Sequence, residues 1–291
     1  MLTLPMSLFA LMLLPAGEDA GPHRYARPEL LIEAADLARL LGSDKVRVLD
    51  CRGKGMFLSG GGHVPGAAWL DAMTWARSFD PSDRDGWARR IGGLGIDVDT
   101  TVVIYDDSRA KDAARVWWIL RYWGVRDVRL LNGGWLAWRA SGRPIEKGDH
   151  HPAAVDARLA PQPAHLATKG HVLEHLKGGT QLVDARSNDE FCGVARTAKR
   201  NGAIPGAAHL EWSDTVDRTG RFKSPQELVT LFRQAGIDPS RPAITYCQSG
   251  GRAAVMAFVL ELMGGNDVRN YYRSWAEWGN AEDTPIAKPK K

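Results

Sequence analysis

The segment Cys247-Gln248-Ser249-Gly250-Gly251-Arg252 gathers a thiol, a hydroxyl, two adjacent glycines and a guanidinium into six residues. It follows the short run Ala243-Ile-Thr-Tyr246 and precedes the apolar stretch Ala253 to Met263, so it reads as strand, tight loop and helix. Glycine leaves the backbone bare and free to take positive φ. Successive N–H groups can therefore turn inward around whatever projects from Cys247. Helix N-terminus, converging amides and the Arg252 charge all favour an anion at one point, the setting that turns a cysteine into a thiolate nucleophile. Gln248 and Ser249 complete the ring, Ser249 with a hydroxyl able to donate. The chemistry such a loop can perform is attack on, and retention of, a small electrophilic anion.

Cys51 and Cys192 lack this surrounding and read as small buried hydrophobes. Three cysteines without a C-x-x-C pair make neither a disulfide framework nor a dithiol site. His171 and His175 are spaced i, i+4 but have no third partner, and the other histidines are scattered, so no metal site is expected.

The elements that must position the loop occur twice. Val46-Arg-Val-Leu-Asp50-Cys-Arg52 matches Gln181-Leu-Val-Asp184-Ala-Arg186 at an offset of 134. His63-Val-Pro-Gly66-Ala-Ala matches Ala203-Ile-Pro-Gly206-Ala-Ala at 140. Thr101-Val-Val-Ile-Tyr105 matches Pro242-Ala-Ile-Thr-Tyr246 at 141, and Gly134-Trp135-Leu-Ala-Trp138 matches Ser274-Trp275-Ala-Glu-Trp278 at 140. A period near 140 is too long for a solenoid unit and fits two copies of one whole domain. Alternating short strands and amphipathic or fully apolar helices predict α/β domains, each a mainly parallel sheet with helices on both faces and its ligand at the carboxyl ends of the strands. The expected limits are 1–24 for a signal or disordered segment, 25–147 for the first domain, 148–163 for a Pro- and Gly-bearing linker, and 164–291 for the second.

The copies differ at the loop. Tyr105 is followed by Asp106-Asp107-Ser108-Arg109-Ala110-Lys111, so a carboxylate replaces the thiol. Aspartate cannot attack sulfur and repels an anion, so the chemistry is expected in the second copy alone. Asp184 and Arg186 recur as Asp50 and Arg52 in the copy without the cysteine, which points to a shared structural task.

Among 291 residues, 44% are hydrophobic and 25% charged, which excludes disordered, collagen-like and coiled-coil classes. The net charge of +4 carries no basic tract beyond Lys288-Pro289-Lys290-Lys291, so nucleic acid is not an expected partner. Met1 to Ala16 is uncharged with an apolar core from Leu8 to Leu14, but lacks a basic start. The chain is expected in the cytoplasm, or exported to the periplasm if that segment is a cleaved signal. No later run reaches eighteen apolar residues, so stable membrane association is not expected. Two fused copies already cover the face a dimer would share, and a monomer is expected.

With these residues in view, the chain from about Leu30 to Ile286 resembles the tandem-domain rhodaneses, the thiosulfate sulfurtransferases. The resemblance rests on Leu-Val-Asp184-Ala-Arg186, Gly-Ala-Ile-Pro205-Gly206-Ala, the Cys247 to Arg252 loop, and the closing Gly133-Gly-Trp and Ser274-Trp-Ala-Glu-Trp-Gly. It implies an inactive first domain and a second-domain cysteine that cycles through a persulfide, with no cofactor. Thiosulfate is the implied donor, and cyanide or a thiol such as a thioredoxin-like protein the acceptor. Arg252 would bind the sulfonate, and Trp212 and Trp275 would line or support the pocket. Three alternatives remain beside it. A 3-mercaptopyruvate sulfurtransferase shares Ser249-Gly250 but not Gln248, Gly251 or Arg252. The mercaptopyruvate and animal thiosulfate enzymes also place an arginine near Asp189-Glu190-Phe191; Glu190 here disfavours a carboxylate substrate unless Arg196 or Arg200 substitutes. A phosphatase or arsenate reductase of the same fold needs five residues between cysteine and arginine; here there are four. A persulfide carrier without turnover would use the same loop.

Overall fold

The computed structural model describes residues 24–176 and 178–290; the apolar stretch Met1 to Ala16 lies outside the described residues. Among the described residues, nine strands form two sheets. β1 (Leu31–Ile32), β2 (Val46–Asp50), β3 (Ala67–Trp69), β4 (Thr101–Tyr105) and β5 (Asp127–Leu131) lie in the order β1-β5-β4-β2-β3. β6 (Gln181–Asp184), β7 (Ala208–His209), β8 (Ala243–Tyr246) and β9 (Val268–Asn270) lie in the order β7-β6-β8-β9. Every neighbouring pair is parallel. Parallel neighbours require crossovers, and the intervening helices supply them.

The duplication extends to register. Asp50 pairs with Tyr105 across β2 and β4, and Asp184 pairs with Tyr246 across β6 and β8. Among the described residues, β1 has no strand counterpart in the second sheet. A single parallel bridge, Leu166 with Asn270, takes its place.

The helices that follow β4 and β8, Lys111–Tyr122 and Gly251–Leu262, pack on each other between the two sheets. This explains why their sequences are apolar nearly all round: one face meets the helix's own sheet and the other meets the second domain. Trp117 and Phe258 meet edge to face at 5.1 Å across that boundary, both wholly buried. A buried aromatic of this size contributes about 1.5–3 kcal/mol through burial alone. Residues of both domains thus form one continuous core, with smaller cores on the outer face of each sheet.

Two further segments tie the domains. Arg27 donates to the Leu262 carbonyl at 3.1 Å and to Glu261 at 2.8 Å, and Arg121 approaches the same buried carboxylate at 3.3 Å. The segment between the domains does not behave as a free tether. Ala157 and Leu159 are buried, and Val155 N–H and Gln162 N–H donate to the carbonyls of Gly92 and Tyr122 in the first domain.

Candidate functional site

Cys247 stands at the carboxyl end of β8, with the loop closing onto helix Gly251–Leu262. It is buried, 1% exposed. Gly250 caps the helix at φ +83°, a conformation that disfavours any side chain, and a Cβ there would lie 2.7 Å from Tyr272 Cδ2. Gly251 is glycine for a different reason. Its backbone is helical, but a Cβ would fall 2.3 Å from Nη2 of Arg115, a buried first-domain side chain that donates to the Ser249 carbonyl at 2.8 Å. The expectation that both glycines supply positive φ therefore holds for Gly250 only.

The loop carbonyls face outward. Those of Cys247 and Gln248 accept from the N–H groups of Trp275 and Ala276, that of Ser249 from Arg115, and that of Gly250 from Asn270 at 3.0 Å. Outward carbonyls turn the amides the other way. Among the described residues, the N–H groups of Ser249 through Ala253 donate to no protein acceptor. Free donors at a helix N-terminus form a concavity suited to an anion.

The first-domain loop shows what those donors can hold. The Asp106 carboxylate, 3% exposed, accepts from the N–H groups of Ser108, Ala110, Asp112 and Ala113 at 2.8–3.1 Å and from the Ser108 hydroxyl at 2.8 Å. Burial pushes this carboxyl up, and its donors pull the other way. The loop is also one residue longer. Its helix begins at Lys111, five positions after Asp106, whereas the second begins at Gly251, four after Cys247. This extra residue accounts for the change of offset from 141 before the loop to 140 after it. It places Asp112, not Lys111, opposite Arg252; in this loop Arg109 and Ala110 take positive φ of 58° and 66°, Ala110 at the helix cap where the second loop has Gly250.

Arg252 is already paired in this structure. Its Nη1 and Nη2 donate to the two carboxylate oxygens of Glu190 at 2.6 and 2.8 Å. Burial disfavours the guanidinium charge, but Glu190 and the nearby Cys247 outweigh this and raise its pKa. For Glu190, burial works upward. The Arg252 bonds and charge, with Ser187, overcome it and hold the carboxyl down at about 2. Glu190 is positioned by a capping box: its side chain accepts from Ser187 N–H and the Ser187 hydroxyl at the start of helix Asn188–Phe191.

Ser274 also reaches the cysteine. It is fully buried at φ +52°, where the first domain has Gly134 at the same angle. A serine in this region costs about 1–2 kcal/mol of backbone strain. Its Oγ accepts from the Cys247 N–H at 3.0 Å, donates to the Tyr271 carbonyl at 2.6 Å and lies 4.0 Å from the Cys247 sulfur.

The remaining candidates spread out. Gln248 turns its amide to the Thr197 carbonyl at 2.9 Å, tying the loop to its neighbour. Trp275 is wholly buried beneath the Arg186 guanidinium, which lies 4.3 Å from its ring centre. Trp212 is half-buried and faces Arg109 of the first domain at 5.9 Å. Asp184 and Arg186 make a fully buried bidentate pair, with Arg186 also donating to the Gly202 carbonyl at 2.7 Å. Asp50, Arg52 and the Gly62 carbonyl repeat those contacts. Arg200 does not stand in as an anion receptor, since it clamps the carbonyls of Trp278, Ala281 and Thr284. Cys51 is buried, and burial followed by the charges of Asp106 and Asp50 pushes its thiol well up. Cys192 departs from the buried-hydrophobe expectation: it is half-exposed, at the end of a one-turn helix where a side chain can face solvent. Among the described residues, no group of three or more His, Cys, Asp or Glu could hold a metal ion, and no helix is long and apolar enough to cross a membrane.

Sequence reasoning missed Ser274, Arg115 and the use of Glu190. The first left a signal, a serine against Gly134 in the aligned Gly-Trp and Ser-Trp motifs. Glu190 left a weaker one, the Ser187-x-x-Glu190 capping pattern. Arg115 left none, because its partner is in the other domain.

Comparison with known proteins bears on this geometry. The rhodanese-like domain model matches twice, at residues 33–141 and 168–281. The chain is 39% identical over 287 residues to a thiosulfate sulfurtransferase of Corynebacterium glutamicum, covering 91% of this chain and 92% of that one. It is 37% identical over 285 residues to the sulfur carrier protein TtuD of Thermus thermophilus, covering 91% and 98%. Among solved structures, a persulfide form of EanB with ergothioneine superposes with a TM-score of 0.83 at 25% identity, over 94% of this chain and 74% of that one. YnjE gives 0.79 at 26%, over 92% and 70%. The repeat, the two parallel sheets and these matches together show that the chain belongs to the rhodanese family, as a tandem of two rhodanese-like domains.

Proposed function

We propose that this protein transfers sulfane sulfur from thiosulfate to a nucleophilic acceptor through a persulfide on Cys247. Relatives named thiosulfate sulfurtransferase and sulfur carrier protein support a sulfurtransferase role. One observation carries the finer reading: the amides that converge on a carboxylate in the first domain have no acceptor in the second, where Cys247 replaces Asp106.

The Cys247 thiolate attacks the outer sulfur of thiosulfate, forming an S–S bond as the bond to the sulfonate sulfur breaks and sulfite leaves with its electron pair. The terminal sulfur of the persulfide then occupies the loop concavity, where amide donors stabilise its charge without reorganising. Cyanide or a thiolate, including that of a thioredoxin-like protein, attacks this sulfur and regenerates the Cys247 thiolate. Arg252 and Glu190 border the cysteine as a pair, so the arginine supplies a charge already half-neutralised. A dianion competes with Glu190 for that arginine better than a monocarboxylate does, and this favours thiosulfate over 3-mercaptopyruvate.

Mass spectrometry of thiosulfate-treated protein tests the proposal. A sulfur adduct of about 32 Da on Cys247, discharged by cyanide as thiocyanate and absent from Cys247→Ser, is the expected result. Equal adduct or turnover in Cys247→Ser would refute it. A persulfide that forms without catalytic turnover would leave the carrier reading in its place.

A further inference from the structure

The two loops are covered unequally by the opposite domain. Over the first lies the second-domain turn around Gly220, whose Cβ position is 3.5 Å from Arg109 Cα, with Arg221 bonded to Glu33 at 2.6 Å and Phe222 N–H to Asn132 at 3.0 Å. At the corresponding place beside the second loop the structure is open. A cleft of about 710 Å³ is lined by Phe79 and Pro81 of the first domain and by Tyr271 and Tyr272 of the second, within the range of small-molecule sites. It reaches Ser249, but neither Cys247 nor Arg252 lines it.

The charges around this cleft are unbalanced. Arg77, Arg115, Lys169 and Arg273 line it, against one carboxylate, Glu277. Glu277 is engaged by the Tyr271 hydroxyl at 2.6 Å, and Lys169 by Asp283 at 2.9 Å. Asp80 lies close enough to Arg273 to feel its charge. Arg77 and Arg273 are exposed. Arg115 is not: it is 5% exposed, no carboxylate lies within 4 Å of it among the described residues, and its buried Nε has no hydrogen-bond partner. Among the described residues, this buried guanidinium donates to the Ser249 carbonyl at 2.8 Å and the Tyr272 hydroxyl at 3.5 Å and lies 6.0 Å from the centre of the Tyr272 ring, with no carboxylate to neutralise its charge.

We infer that this interdomain cleft is a second ligand site, separate from the persulfide loop, for a small aromatic molecule bearing one acidic group. The rings of Phe79 and Tyr272, 4.8 Å apart and tilted, give the apolar wall, and the arginines receive the acid.

The full-length protein titrated with 1-anilinonaphthalene-8-sulfonate tests this. Expected is a saturable fluorescence gain at one equivalent, retained in Cys247→Ser and undisturbed by excess thiosulfate. Ala76→Trp, which fills the cleft, should weaken it at least tenfold. Arg77→Gln with Arg273→Gln, at exposed positions, should weaken it several-fold. No saturable gain, or equal affinity in both variants, would overturn the site. Equally tight binding of the neutral N-phenyl-1-naphthylamine would overturn the acidic ligand class. Loss of the gain in Cys247→Ser, or its displacement by thiosulfate, would return the dye to the persulfide loop and also overturn the inference.

Discussion

Glu190→Gln separates the electrostatic work of the site from its sulfur chemistry. In the folded protein the Glu190 carboxyl is held at about 2, against 4.5 for an unstrained glutamate. A shift of that size corresponds to about 3 kcal/mol favouring the folded state wherever the group is ionised in both states. The paired side chains are 21% and 9% exposed, so screening trims the contribution to about 2–3 kcal/mol. The sign follows from a depressed acid. Stability is fully present above pH 4.5 and drains away as pH falls toward 2, with about half lost by pH 3. The glutamine variant keeps the shape but loses the charge, so it should be less stable by about 2–3 kcal/mol at pH 7 and by about half that at pH 3. Urea unfolding followed by tryptophan fluorescence at pH 7, 4 and 3 measures both variants. A difference that stays constant across this range, or no difference at pH 7, would refute the assignment of the pair. Thiosulfate kinetics on the same variant add a second reading. Freed from its partner, Arg252 should bind the donor more tightly and lower KM, while kcat, which the proposed function assigns to the Cys247 sulfur, changes less.

Three further outcomes follow from the same geometry. Gly250→Ala forces a side chain to φ +83° and into the ring of Tyr272, and should cost about 2–4 kcal/mol and slow persulfide formation, read by melting temperature and by adduct mass against time. Asp106→Asn turns an amide N–H toward donors that need an acceptor, and should destabilise by about 1–3 kcal/mol in urea while second-domain persulfide formation persists. Cys51, buried with its thiol pushed up, should resist iodoacetamide in the native protein and react on unfolding, whereas half-exposed Cys192 should label at once; peptide mass mapping distinguishes them.

Much of the architecture was legible because it is local. Short Val and Ile runs ending in Asp50 and Asp184, apolar helices after Tyr105 and Tyr246, and glycine at the tight turns are patterns of neighbouring residues, and duplication displayed each of them twice. Even the longer first-domain loop was encoded in the change of offset, although its effect on which residue faces Arg252 was not.

The sequence by itself therefore determined that two α/β domains stand in tandem and that one cysteine sits in a glycine-rich strand-to-helix loop. Tertiary structure alone decided who meets that loop. Glu190 reaches Arg252 across 62 residues, Ser274 reaches Cys247 across 27, and Arg115 reaches Ser249 across 134 from the other domain. Secondary structure follows from backbone preferences repeated every two or four residues, whereas these meetings depend on how separate elements pack, which no local pattern records.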